Sequence, residues 1–533
     1  MIRKDHDGTA RELAVLLALS GIGALVPWLS KYWLFQHAAG NVAATHVLQS
    51  LARSPDSVFA PHFTAQLGVT PYSLHGWLLR GLAPITGLVD AHRIIVSALA
   101  MATPVTVYFA LRRLAPERRI NAWLYAPLSM TTFVGTGMEG FALCLPPMLA
   151  AWALVCGARP GRPSRPRAIE LAAAALLLLI STAAHPVGPV LGAIAITLFQ
   201  GRRLFRPRAL AEAAVALLPA VLWLVAAELS ARSLRGESPG YTEVVWTSAA
   251  RALYYFVVAF WAVSRLEVVA RVLIFGLLGW GLVRALVHDR ARALPFARIA
   301  LCFLALLLLG PAKIGGATVG HRFALLAVTF AVFCVELPPI LRPARVAAVA
   351  LATALAVAAI QVPLARRADA IFDEVIAIGA RIPRGSTVLP ISFERPDLVH
   401  SYRWHLQPWS YLVLTRDVIT PYVPATGAVG QSGYEFRSLA YRRAPSSGYL
   451  LAPIPRRAID DSCALLSLSP AEDCRSVRVL RYRSYTAQAQ KYDFALIFKP
   501  PAELVSELAR ELVQVERRGD LWLFRPRAEA ARR

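Results

Sequence analysis

Residues 91–119 read AHRIIVSALAMATPVTVYFALRRLAPERR, and this stretch decides the fold class. Between Arg93 and Arg112 stand 18 residues without a charge. At 1.5 Å per residue such a helix covers about 27 Å, close to the roughly 30 Å hydrocarbon core of a bilayer. Arg112, Arg113, Arg118 and Arg119 follow at once. An apolar run that ends on a short arginine-rich loop is the pattern of a span meeting the cytoplasm.

The same pattern recurs along the chain. Of its 533 residues 56% are hydrophobic and 17% charged, and the apolar residues fall in blocks. Spans are expected at approximately 12–30, 91–111, 120–136, 138–157, 168–184, 187–200, 209–227, 267–287, 296–311, 321–338 and 345–363. The expected fold class is therefore a membrane all-α bundle of about 11 transmembrane helices. Further arginine groups follow at 159–167, 202–208, 284–298 and 342–345. All fall on the side of Arg3, Lys4 and Arg11, which places the N-terminus inside. The formal charge of +24 is thus read as topology and not as a nucleic-acid footprint. The first apolar run continues into Pro27 and Trp28 without a small-x-small cleavage site, so it reads as a retained anchor.

Two outer loops are too long for turns, 31–90 and 228–266. In the second, the apolar segment 249–263 reads as an interfacial helix or half-span. Residues 1–363 form the transmembrane domain on this reading. Residues 364–533, with 25 Lys and Arg against 18 Asp and Glu, read as a soluble extracytoplasmic α/β domain. There a helix is expected over 365–381, strands over 387–392, 493–498 and 521–524, and a helix over 502–512. Cys463 and Cys474 are the two cysteines in polar surroundings. In an oxidising outer compartment they are expected to form a disulfide.

No Walker loop, dinucleotide fingerprint, His-Glu-x-x-His or Cys-x-x-Cys is present. Chemistry is therefore expected at the outer rim of the bundle. Five of the eleven histidines, His37, His46, His62, His75 and His92, lie between residues 37 and 92, with the first loop's only two carboxylates, Asp56 and Asp90. Imidazoles and carboxylates together are the donors that hold a divalent metal ion, so one is admitted as a possible cofactor; a carboxylate can also serve as general base. Solvent-facing loops collect such residues without function, and Asp90 reads equally as a helix cap. Glu139 lies in a glycine-rich turn at membrane level, where a carboxylate is costly and so is paired or functional. His185, Lys313, His321 and Arg322 sit at outer turns; the two cations suit a phosphate group or a lipid headgroup.

Several short stretches carry a resemblance: Thr70-Pro71-Tyr72-Ser73-Leu74-His75-Gly76-Trp77, Asp90-Ala91-His92-Arg93, Ala184-His185-Pro186, Gly320-His321-Arg322-Phe323 and Lys491-Tyr492-Asp493-Phe494-Ala495-Leu496-Ile497. With the long first loop, the basic inner loops and the outer C-terminal domain, the layout resembles the polytopic glycosyltransferases of the GT-C type. The resemblance implies transfer of a hexosyl or pentosyl group from a polyprenyl-phosphate carrier to an envelope acceptor on the outer face of a bacterial inner membrane. It implies membrane lipid and a polyprenyl-phosphate-linked sugar as partners and no nucleic acid; protein partners stay open. Members of this class place an acid shortly after the first span, commonly followed by His. Here the stretch Gly40 to His46 has Asn41 instead, and an amide cannot act as a base. Either Asp56 substitutes, with Glu139 in reserve, and His46, His62, Arg93, His185, Lys313, His321 and Arg322 bind substrate, or the chain is a catalytically degenerate member that serves as a binding or assembly partner in envelope biogenesis. A transporter would need polar residues near mid-membrane, which these spans largely lack.

Overall fold

The computed structural model describes residues 2–33, 37–65, 73–135, 138–157, 164–234, 244–314, 317–338, 340–392, 408–420, 434–436 and 489–527. Cys463 and Cys474 lie outside them. The chain divides into two compact units. One comprises chiefly Met1–Trp33 and Gly68–Arg366, the other Leu34–Leu67, Arg367–Gly427 and Ser432–Arg533. The boundary falls inside the first long loop, which as a sequence reads as one piece.

The first unit is helical. Among the described residues seven helices are long and apolar enough to cross a membrane: Gly8–Leu29, Leu88–Leu114, Glu139–Cys156, Arg167–Ala184, Pro207–Ala227, Arg290–Leu309 and Pro343–Gly379. Each coincides with one expected span. The other four expected spans are shorter or interrupted. The stretch 120–136 breaks into Asn121–Tyr125, the 3₁₀ turn Ala126–Leu128 and Thr132–Gly135. Pro127 there lacks the N–H that a continuing helix needs. The run 267–287 is divided at Arg271 into Leu266–Ala270 and Val272–His288. Val187–Gln200 and Gly320–Cys334 have 14 and 15 residues. Ala249–Ala259 is a short helix of 11 residues capped by the Ser248 hydroxyl.

The arginines of the expected inner loops are not merely solvated. Arg118 is buried, donating to the Phe333 carbonyl at 3.1 Å and to Asp289 at 2.9 Å. Arg167 is buried too, held by the Leu154 and Val155 carbonyls at 2.7 and 2.9 Å and by Glu170 and Glu212. Pairing of this kind removes the cost of a buried guanidinium.

A further buried ion pair, Glu267 with Arg271, fixes the loop after Ala249–Ala259. Glu267 is fully buried and accepts from the backbone N–H groups of Ala262, Val263 and Ser264 at 2.9, 2.6 and 2.8 Å. It also accepts from Gln361 at 2.8 Å and Arg271 at 3.2 Å. Arg271 in turn donates to the carbonyls of Pro127, Met130 and Phe260. Gly135 lets this loop approach, because a Cβ there would collide with the Ala262 carbonyl.

The second unit is an α/β domain. Its four-stranded sheet has the order Val388–Ser392, Phe494–Phe498, Leu521–Pro526, Leu512–Arg518. The first pair is parallel and the rest antiparallel. Val388–Ser392 and Phe494–Phe498 are buried at every position, as strands covered on both faces are. Edge strand Leu512–Arg518 instead exposes charged residues and is bulged near Glu516, features that discourage further pairing. Leu504 and Leu508, one turn apart on helix Ala502–Glu511, bury into the same core.

Two differences from the sequence reading matter here. The expected span 345–363 and helix 365–381 are one continuous 37-residue helix, Pro343–Gly379. Helix His37–Arg53 and strand Phe63–Ala65, from the first loop, belong to the second unit. Ala43, Ala44, Val47, Phe59 and Phe63 share a core with Ile378, Leu389, Leu412 and Phe498. The strand pairs antiparallel with Tyr434–Phe436, Phe63 opposite Phe436.

Candidate functional site

Three elements of the helical unit converge on one buried polar cluster. Helix Ser73–Thr86 supplies His75, helix Leu88–Leu114 supplies His92, and helix Glu139–Cys156 begins on Glu139. Gly87 joins the first two helices with φ +80°, a conformation that side chains bearing a Cβ resist. Glu139 occupies a helix N-terminus, where the backbone dipole stabilises negative charge.

His75 is 6% exposed, and His92 and Glu139 are 0% exposed. The two imidazole rings stand edge to face with centroids 6.0 Å apart. His92 Nε2 lies 3.7 Å from Glu139 Oε1, just beyond hydrogen-bond range. One donor atom from each of the three residues lies within 4.8 Å of the other two. Among the described residues His75 Nε2 is buried without a hydrogen bond; His92 hydrogen-bonds the Trp33 backbone through one ring nitrogen, and its other ring nitrogen has none. His75 stands outside the spanning helices, and burial pushes its imidazole down to about 4, so it is neutral.

The adjoining wall is aromatic and cationic. Phe141, one turn into the Glu139 helix, packs on Phe133 at 4.5 Å and edge-on to His185 at 5.6 Å. The half-buried Arg322 guanidinium lies 5.2 Å from the Phe141 ring centre, a cation–π contact. His321 stacks on Phe133 at 4.7 Å. His185 Nδ1 accepts from the Val187 N–H at 3.2 Å and so closes its own helix turn. Arg322 can present donors to a phosphate oxygen while Phe141 holds its plane.

Of the expected site residues, Glu139, His185, His321 and Arg322 are thus brought together. Arg93 is near but engaged, donating to Asp90 at 2.8 Å and to the Ser30 carbonyl at 2.6 Å, beside Trp28. Lys313 stands in strand Pro311–Ile314, and its side chain lies outside the described residues.

Asp56, His46 and His62 belong to the other unit. Asp56 is an exposed turn residue whose carboxylate makes no ion pair with another described residue. His46 Nε2 hydrogen-bonds Asp417 at 2.8 Å, and Arg384 donates to the same carboxylate. Burial raises Asp417, but those two partners outweigh it and hold the carboxyl below its usual range. Burial lowers the His62 imidazole, with Asp493 opposing it.

His75 and His92 each stand in a stretch that carries the resemblance, but nothing in the sequence joins them to Glu139. They are 17 positions apart and Glu139 is 47 further on. No spacing rule connects such a set; the signal available was the membrane-level carboxylate alone.

No protein-family model matches this chain, and no curated protein matches it. Solved structures do. The crystal structure of ArnT from Cupriavidus metallidurans bound to undecaprenyl phosphate is 12% identical, with a TM-score of 0.57 over 97% of this chain and 98% of that one. The apo-state structure of the same protein is 11% identical, with a TM-score of 0.53 over 98% of each chain. ArnT is a GT-C glycosyltransferase, and at this identity the likeness speaks for the fold alone. The chain is a multi-pass membrane protein with a GT-C-like fold.

Proposed function

We propose that this protein is a membrane glycosyltransferase that moves a sugar from a polyprenyl-phosphate carrier to an envelope acceptor. The observation that carries the reading is the likeness over nearly the whole chain to a protein whose structure is bound to undecaprenyl phosphate. Arg322 beside Phe141 suits the phosphate leaving group, and Lys313 is a second cation for it. The base for the acceptor hydroxyl is an acid, and Asp56 and Glu139 are the candidates. Asp56 is exposed and able to meet an acceptor, whereas Glu139 faces two histidines. The protein sits in the bacterial inner membrane on this reading, with the N-terminus inside and residues 364–533 outside. Labelling of introduced cysteines near 160 and 205 from the outside would overturn that orientation.

The test is a deletion strain complemented by wild type, Asp56→Asn or Glu139→Gln, with envelope glycolipids compared by mass spectrometry. A glycolipid that is lost on deletion and restored by wild type supports transfer. Glycolipids identical in all strains would overturn it.

Asn41 favours a second reading. It stands on helix His37–Arg53 where the resemblance expects an acid, and would leave a GT-C-fold protein that binds or assembles without transferring. Full complementation by both carboxylate variants, with a deletion phenotype present, would select that reading.

A further inference from the structure

We propose that His75, His92 and Glu139 form a binding site for one divalent transition-metal ion of the zinc class. The proposal stands on geometry and goes beyond the transferase reading.

Three donors from three separate helices meet within 4.8 Å, all of them buried. Donors around a tetrahedral zinc at about 2.0–2.2 Å stand roughly 3.4–3.6 Å apart. The 3.7 Å between His92 Nε2 and Glu139 Oε1 is already close to that separation. Small side-chain rotations would bring His75 Nε2 to the same centre. The unpartnered ring nitrogens are the second, independent observation. Among the described residues His75 Nε2 and one ring nitrogen of His92 are buried without a hydrogen bond, which costs free energy, and a cation coordinated by their lone pairs removes the cost. Aliphatic side chains would pack this junction without the penalty, so its polarity asks for a ligand.

The donor set selects the ion. Two imidazole nitrogens and one carboxylate oxygen suit zinc and its neighbours, whereas magnesium and calcium take oxygen ligands throughout. The carboxylate at a helix N-terminus supplies negative charge, which an imidazole binding a metal through a nitrogen lone pair does not. Arg93, next to His92 in the sequence, has its charge met by Asp90 at 2.8 Å. Three protein ligands leave one tetrahedral position for water or a substrate oxygen. Metal coordination would also clamp together the ends of three helices that the sequence otherwise joins only through Gly87 and a long intervening stretch.

The experiment measures metal in the whole protein, purified in detergent without added metal. Elemental analysis after gel filtration should find about one zinc-class ion per chain, and His46→Gln, altered in the other unit, should retain it. His92→Gln and Glu139→Gln should each lower zinc affinity at least about tenfold, read by competition with a chromophoric chelator. Should those variants fail to fold, wild type stripped with a chelator and refilled with cobalt(II) gives the answer alone, because a tetrahedral imidazole–carboxylate site has an intense visible spectrum. Wild type that carries no metal and takes up neither zinc nor cobalt overturns the proposal. So does metal content that is equal in wild type and both ligand variants, which would indicate an adventitious ion only.

Discussion

Two carboxylates, Glu139 and Glu267, are both completely buried in the helical unit, yet they are treated in opposite ways. Glu267 is surrounded by donors: three backbone N–H groups, an amide and a guanidinium. Its charge is answered by the fold itself, and its work is to hold the loop over Gly135 and the break at Arg271. Glu139 stands instead beside two imidazoles, and among the described residues His75 Nε2 has no hydrogen bond. A buried charge that is saturated by its own chain is a structural device; one whose neighbours still have coordination to give marks a place for something else.

Substitutions can break this comparison, and they are taken in order of their effect on stability. Glu267→Gln leaves Arg271 buried without its counter-charge and turns an amide toward three N–H donors. A loss of about 3–5 kcal/mol is expected, seen as a lower thermal midpoint in detergent and a poor gel-filtration profile. Wild-type-like stability would mean that the Arg271 network tolerates a neutral partner.

Asp417→Asn belongs to the second unit and should cost less, about 1–2 kcal/mol, by weakening the contacts with His46 and Arg384. Hydrogen exchange should quicken in helix His37–Arg53 and stay unchanged in Leu88–Leu114. Because the folded carboxyl lies below its unfolded value of about 3.9, the stabilisation is present above that pH and is lost as pH falls through the lowered folded value. An acid-protected His37–Arg53 helix would contradict this sign.

Glu139→Gln, measured in chelator-treated protein, should change stability by no more than about 1 kcal/mol. On the transferase reading, transfer by this variant should nonetheless fall by about a hundredfold or more. If the variant is as destabilised as Glu267→Gln, the two carboxylates are alike and the site reading of Glu139 fails. Asp56→Asn is the smallest perturbation, within about 0.5 kcal/mol because the residue is exposed. A transfer assay alone can then show whether it is a base, and undiminished transfer would remove it from that role.

What the sequence discloses follows from the range of the interactions. The seven long spans are readable because twenty apolar residues have one solution in a bilayer. So are strands Val388–Ser392 and Phe494–Phe498 and helix Ala502–Glu511, all set by local pattern. The stretch 120–136 is broken into three short pieces, which hydropathy, counting only apolar surface, does not register. Strand Leu512–Arg518 is hidden by its charged edge face. Within the site, Glu139 announces itself by the cost of a membrane-level acid, but its two histidines are distant in sequence and follow no periodicity. The assignment of residues 34–67 to the C-terminal unit is equally non-local, since strand Phe63–Ala65 pairs with Tyr434–Phe436.

The joining of residues 34–67 to the C-terminal unit has a consequence in time. His46 and Asp417 are 371 residues apart. A ribosome adding about 5–20 residues per second needs roughly 20 to 75 seconds to get from one to the other. Throughout that interval helix His37–Arg53 waits with Ala43, Ala44 and Val47 lacking the core they will join. A chain that stops before Asp417 leaves Ala43, Ala44 and Val47 without most of that core.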